Sequence, residues 1–182
     1  MKQPVLTHTR ATTGGATGSP EPSRTADADS AGLQRLVELA AQDHHLAVLI
    51  TLDTDGSPQV SVVNCAVVDD PRGDGQCVAL VARRGAKTRN LRANPLATLV
   101  VRSGWEWIAV SGPATVISRD DGLPIDRFEQ LLRDVFHAAG GHHDDLATYD
   151  QVMAAERRCA VLIRPERFTS NPAGAEHREP TS

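Results

Sequence analysis

Aromatic side chains are scarce in this chain. Two Trp, one Tyr and three Phe make up 3% of its 182 residues, although 40% are hydrophobic. Its core must therefore be built from Val, Leu, Ile and Ala, and the branched members of that set suit strands. Lysine is scarcer still: of 19 basic residues, all but Lys2 and Lys87 are arginine. The three cysteines, Cys65, Cys77 and Cys159, stand inside apolar runs and form no C-x-x-C pair. That excludes a zinc site and a disulfide framework, and buried free thiols fit a reducing cytoplasm. No apolar run reaches the ~18 residues that cross a bilayer, so no membrane partner is expected. The start lacks the hydrophobic segment of a secretory signal. A formal charge of -4 excludes the broad basic surface that non-specific nucleic-acid binding requires. No Ser-His-Asp or paired-carboxylate constellation stands out.

Against this acidic background, the stretch from Ala82 to Pro95 is conspicuous. Arg83, Arg84, Lys87, Arg89, Asn90 and Arg92 crowd it, and Gly85 sits where a strand should hand over to a short helix. A helix start presents unpaired N–H groups, and its dipole favours negative charge. The cluster therefore reads as a phosphate seat for a small anionic ligand, with a solvated basic helix face as the alternative. A composition that otherwise avoids lysine keeps one here, which puts Lys87 first among the candidate ligands. Arg92 is expected to face water.

Residues 1–29 are rich in Thr, Gly, Ser, Pro and Ala, with too little apolar area to offset the entropy of ordering, and disorder is expected there. The tail 171–182 should be loose as well. Ser30 is placed to cap a helix carrying Leu33, Leu36, Val37 and Ala40 at helical spacing. His44 and His45 close it, where a cation suits the dipole. Six strands are predicted, over 46–52, 57–68, 76–82, 96–102, 105–118 and 159–164. Asp53 to Gly56 forms the first turn, with Gly56 supplying a positive φ. Gly112-Pro113 predicts a bulge or bend in the long fifth strand. Pro124 opens a helix with Phe128, Leu131, Leu132 and Val135 on one face, capped by Asp120 and Asp121, and a shorter helix follows at about 148–157. Hairpin-like strands with only a short helix between the third and fourth exclude a βαβ fold. The prediction is a mainly β (α+β) domain over 30–170, a six-stranded antiparallel barrel with short flanking helices. Several strands are apolar on both faces, so a homodimer interface is expected to cover what the helices leave bare.

Four pieces recur in a known order: the turn Asp53-x-Asp55-Gly56-x-Pro58, the basic segment ending Asn90-Leu-Arg-Ala-Asn-Pro95, the run Trp105-x-Trp107-Ile-x-Val-x-Gly112-x-Ala114, and the closing Arg158-Cys-Ala-Val-Leu-Ile-Arg-Pro-Glu-Arg-Phe-Thr169. Over residues 33–170 this order resembles the pyridoxamine 5′-phosphate oxidase-like split β-barrel superfamily. It is most similar to the deazaflavin branch, the coenzyme F-420-dependent reductases of actinobacteria, and the arginine- and alanine-rich composition also looks like that of a high-GC genome. The resemblance implies a homodimer with two cofactor clefts at the interface. It makes Lys87 the phosphate ligand, with Gly85, Ala86 and Thr88 offering N–H groups or a hydroxyl, and Arg89 and Asn90 in second rank. Arg83 and Arg84 would reach a longer anionic tail. The second strand, through Val60, Val62, Val63 and Asn64, would run along the edge of the tricyclic ring, and Trp105 and Trp107 would approach it.

The implied cofactor is coenzyme F-420, with FMN as the alternative. The implied activity is hydride transfer from the reduced cofactor to a small organic acceptor, in which the cofactor performs the chemistry and the protein binds and orients it. An FMN-binding oxidoreductase and a low-turnover cofactor-binding protein are the other readings. Ala86 stands where the oxidases carry the Arg of an Arg-Lys pair, and the end Phe168-Thr-Ser-Asn-Pro172 lacks their signature, so oxidation of pyridoxamine phosphate is not expected. A haem role would want an axial His near the cleft, and no histidine falls in the predicted strands or the basic segment. Trp105 and Trp107 have a bland reading as core or dimer contacts, and Asn64 as a core amide. His142, His143, Asp144 and Asp145 lie beside Gly140 and Gly141 in a polar loop, with no second cluster at ligand spacing, so no metal is expected.

Overall fold

The computed structural model describes residues 26–171; the tails expected over 1–29 and 171–182 lie outside them except for Asn171 and for 26–29, which are helical where disorder was expected. Helix α1 (Ala26–Ala41) begins ahead of Ser30, which is a residue within the helix and not its cap. Ala26, Ala28 and Ala31 are strong helix formers and carry the helix back past that point. His44 and His45 then adopt left-handed backbone angles, with φ of 52° and 57°. The His45 N–H donates to the Ala40 carbonyl at 2.7 Å, which turns the chain into β1 (Leu46–Leu52). The hairpin to β2 (Pro58–Asn64) is in register from Leu46 opposite Asn64 to Leu52 opposite Pro58. Gly56 occupies its turn at φ 83°.

There are eight strands among the described residues, two more than the six predicted. The predicted second strand breaks at Cys65, giving β2 and a separate β3 (Ala66–Asp69). Cys65 is wholly buried, and its N–H goes to the His45 carbonyl at 2.8 Å. The remaining elements are β4 (Gln76–Arg83), α2 (Ala86–Ala93), β5 (Leu96–Ser103), β6 (Glu106–Ile117), α3 (Ile125–Ala138), α4 (Leu146–Ala155), β7 (Arg158–Ile163) and β8 (Arg167–Ser170). The unpredicted β8 is four residues long, too short for a readable alternation, and it exists because β6 offers it an edge from Ile108 to Ser111.

All pairings are antiparallel, in the order β2-β1-β5-β6-β7-β4-β3 with β8 on β6. Strand β6 belongs to both halves of this sheet. Its residues Glu106–Pro113 pair with β5, and Ala114–Ile117 pair with β7. The change of partner falls at the Gly112-Pro113 step, where a bend was predicted. A methyl group on Gly112 would collide with the Arg164 carbonyl oxygen, so the close crossing there requires glycine. The two ends of the strand order, β2 and β3, are consecutive in sequence. The sheet thus curls back on itself without closing, and the outer edge of β2 pairs with no strand among the described residues. The architecture is mainly β, an antiparallel split barrel with helices against it.

Two apolar clusters hold it. Inside the barrel, Leu36, Leu49, Leu80, Leu91, Leu99 and Val110 pack with the apolar face of α1. Each such side chain contributes on the order of 1.5–3 kcal/mol. Outside, α3 lays Phe128, Leu131, Leu132 and Val135 on the β3-β4-β7 half. Among the described residues, the outer face of the β2-β1-β5 half has no such cover. Val60 and Val62 are 60% and 66% exposed, and Val48 and Leu96 are exposed beside them.

Candidate functional site

The basic segment forms the end of β4 and the helix α2, as expected. Gly85 is the N-cap in extended conformation. Its N–H donates to Thr88 Oγ1 at 3.0 Å, and the Thr88 hydroxyl donates back to the Gly85 carbonyl at 3.0 Å. The threonine hydroxyl is thereby spent on the helix start. The N–H groups of Ala86, Lys87 and Thr88 have no carbonyl before them in the helix to accept a bond, and they form the open end of the dipole. A Cβ on Gly85 would meet nothing nearer than the Arg83 carbonyl at 3.9 Å, so the approach is unobstructed.

The cations around this end divide into two groups. Arg83 donates to Glu156 at 2.7 Å, Arg84 to Asp120 at 2.9 Å, and Arg92 to Asp121 and the Ser118 hydroxyl, both at 2.7 Å. Arg92 is exposed, as expected, and also clips the 118–121 loop to α2, which the sequence did not show. Lys87 and Arg89 have no ion-pair partner among the described residues. Asn90 is 1% exposed, and its Nδ2 donates to Gln59 Oε1 of β2 at 2.9 Å, which removes it from the helix start. Its Oδ1 and the Thr51 hydroxyl, opposite Gln59 on β1, are buried without a hydrogen-bond partner. Lys87 lies three residues before Asn90 and so shares its side of the helix, which is the side toward β2. Arg84, Arg89 and Arg92 instead line a groove of about 520 Å³ with Gly85 and Thr88 of the helix start and with Val116, Ser118 and Asp121.

Strand β2 meets α2 through Gln59. Val60, Val62 and Asn64 point outward with the exposed face, whereas Val63 is buried in the barrel. Asn64 is exposed and donates to the His44 carbonyl at 2.8 Å, so it is not the core amide expected. Beyond the β2–β3 junction, Asn64 and Val81 of β4 both line a cavity of about 360 Å³. The unpaired ends of the sheet, β2 and β3, mark the split of the barrel. Trp105 lies in the turn before β6 and is 61% exposed. Trp107 is half-buried, its N–H bonded to Asn171 Oδ1 at 2.9 Å, and it stands opposite Arg102 of β5. The structure thus places Gly85, Ala86, Lys87 and Arg89 on one helix start, Lys87 on the side toward β2 and Arg89 on the side of the groove, and sets the two tryptophans on the β5-β6-β8 side.

The remaining candidates resolve simply. Asp120 and Asp121 do not cap α3, whose N-cap is Pro124; they hold arginines. Asp145 caps α4, accepting from the Thr148 N–H at 3.0 Å and hydroxyl at 2.7 Å, and this Asp-x-x-Thr signal was readable in the sequence. His142 and Asp144 meet at 3.0 Å in solvent. Among the described residues, no three ligand-type side chains converge, and no helix is long and apolar enough to cross a membrane. Burial pushes the Cys65 and Cys77 thiols up to about 12, so neither is a nucleophile at neutral pH.

Comparison with solved structures finds the same fold. The Mycobacterium tuberculosis protein Rv2991 superposes with a TM-score of 0.59 at 18% identity, over 82% of this chain and 91% of that one. A solved F-420 reductase gives 0.52 at 19% identity, over 76% and 96%. A heme binding protein from Mycobacterium smegmatis gives 0.51 at 18%, over 79% and 55%. At these identities the likeness is one of fold. The family model for pyridoxamine 5′-phosphate oxidase matches residues 34–171, which takes in every strand described above. The chain belongs to the pyridoxamine 5′-phosphate oxidase family of split-barrel proteins.

Proposed function

We propose that this protein is an F-420-dependent oxidoreductase, cytoplasmic and homodimeric, with its cofactor held by residues 30–170. The observation that carries this reading is Lys87, without an ion-pair partner among the described residues, at an open helix start whose Asn90 reaches β2. A phosphate seated there would take the Lys87 ammonium and the N–H groups of Ala86, Lys87 and Thr88, with Arg89 at its rim. A tricyclic ring running on from that phosphate would lie along Val60 to Asn64, on the edge of β2 that faces away from β1 and pairs with no strand among the described residues. When bound, a reduced deazaflavin supplies a hydride to an electrophilic acceptor, and solvent can supply the accompanying proton. The protein's own contribution is to bind, orient and exclude water. Arg83 and Arg84 are held by carboxylates, and an anionic tail would have to compete with Glu156 and Asp120 for them.

Titration of the purified protein with F-420 and with FMN, followed by fluorescence, tests this. F-420 is expected to bind and FMN to bind more weakly; tight FMN binding with none of F-420 would overturn the reading. Lys87→Ala should weaken F-420 by about 1.5–3 kcal/mol, the worth of a charge-assisted hydrogen bond. An unchanged affinity would return Lys87 to a solvated helix face.

A further inference from the structure

The cavity beyond Asn64 has a composition unlike the rest of this molecule. It is walled by Val81 of β4, Val135 and Phe136 of α3, and Tyr149 and Met153 of α4. The chain has six aromatic residues, and two of them, including its one tyrosine, meet here. The Phe136 and Tyr149 rings lie 4.8 Å apart at 35°. The Tyr149 hydroxyl is committed to the Leu132 carbonyl at 3.1 Å, so the tyrosine offers its ring and not its polar end. Flat π faces favour offset or edge contact with another ring, and Met153 adds a polarizable thioether that suits one.

One end of this chamber is cationic. Arg158 lines it and gives its Nε to Glu156 Oε2 at 2.7 Å, while Arg83 takes the other oxygen, also at 2.7 Å. Two guanidinium groups thus share one carboxylate, and the two of them hold that carboxyl below its usual range. The trio keeps one positive charge in excess, and Arg158 has N–H donors left over, since a guanidinium carries five. Arg157 stands next to it at φ 51°, exposed and without an ion-pair partner among the described residues. Asn64, the last residue of β2, also lines the chamber.

We infer that this chamber binds a flat apolar ring system bearing a carboxylate or similar anion, with the ring against Phe136 and Tyr149 and the anion toward Arg158. If the split holds a deazaflavin, this ligand is the hydride acceptor, so that part of the assignment rests on the proposed function. The binding site itself does not.

Isothermal titration with naphthoate, and with the uncharged naphthalenemethanol as control, tests it. Wild-type protein should bind naphthoate one-to-one. Ala139→Phe, which fills the cavity from the end of α3, should weaken both ligands by roughly tenfold or more, a loss of about 1.4 kcal/mol per decade, and leave F-420 affinity unchanged. Arg158→Met should weaken naphthoate by roughly tenfold and naphthalenemethanol by less than about twofold. Naphthoate bound without F-420 would sustain the chamber while removing the cofactor reading. No naphthoate binding at millimolar concentration, unchanged binding by Ala139→Phe, or a loss produced instead by Val62→Ser on the open sheet face would overturn the inference.

Discussion

Among the described residues a carboxylate reaches Arg83, Arg84 and Arg92 and none reaches Lys87 or Arg89. That difference separates a brace from a cation still available to a ligand. The sequence singled out Lys87 because lysine is otherwise avoided. Asn90 was not legible as a brace, because its burial depends on Gln59, 31 residues earlier, and no local pattern reports such a partner. The cysteines give a test of how tightly the barrel is closed. With thiols held up to about 12 by burial, Cys65 and Cys77 should resist iodoacetamide at pH about 8, where an exposed thiol reacts readily. All three cysteines should label in denaturant. Rapid native labelling of Cys65, counted by mass spectrometry, would mean that the β2–β3 junction opens in solution.

The helix α2 depends on the loop that follows β6. Arg92 pulls the Asp121 carboxyl below its usual range, aided by the Ser118 N–H at 2.7 Å. A carboxylate depressed in the folded state adds stability above its unfolded value of about 3.9, and the gain is lost as pH falls through the lower folded value. Asp70, held by Arg72, and Glu156 act with the same sign. The urea midpoint should therefore stay level from pH 7 to 5 and fall below about pH 4, and Asp121→Asn should flatten part of that fall. A midpoint that rises on acidification would contradict the clip. The sequence placed these aspartates correctly in a loop before α3. It could not show that arginines from another element would claim them before the helix did.

In the molecule as a whole, one half of the sheet is covered by α3 and the other stands open. Val48, Val60, Val62 and Leu96 form the kind of apolar patch that a second copy would cover. Sedimentation at low micromolar concentration should show a dimer, and Val62→Asp should shift it to monomer without unfolding it. A wild-type monomer would remove the shared cleft. The hairpin turns and the β-branched alternation made the barrel readable, because both are local. The break at Cys65 and the added strand β8 were not readable, because each is decided by which edge the strand finds after the chain has curled.

The two walls of the proposed cofactor cleft belong to different halves of the sheet, β2 to one and the β4–α2 corner to the other. Those halves are joined by the β6 crossing at Gly112, by the chain link at Cys65 and by α2, whose Asn90 reaches Gln59. The cleft is therefore a pair of jaws whose spacing is set at a fulcrum. A side chain wedged at position 112 would push against the Arg164 carbonyl and tilt one jaw relative to the other, changing what fits between them without touching anything that is held there.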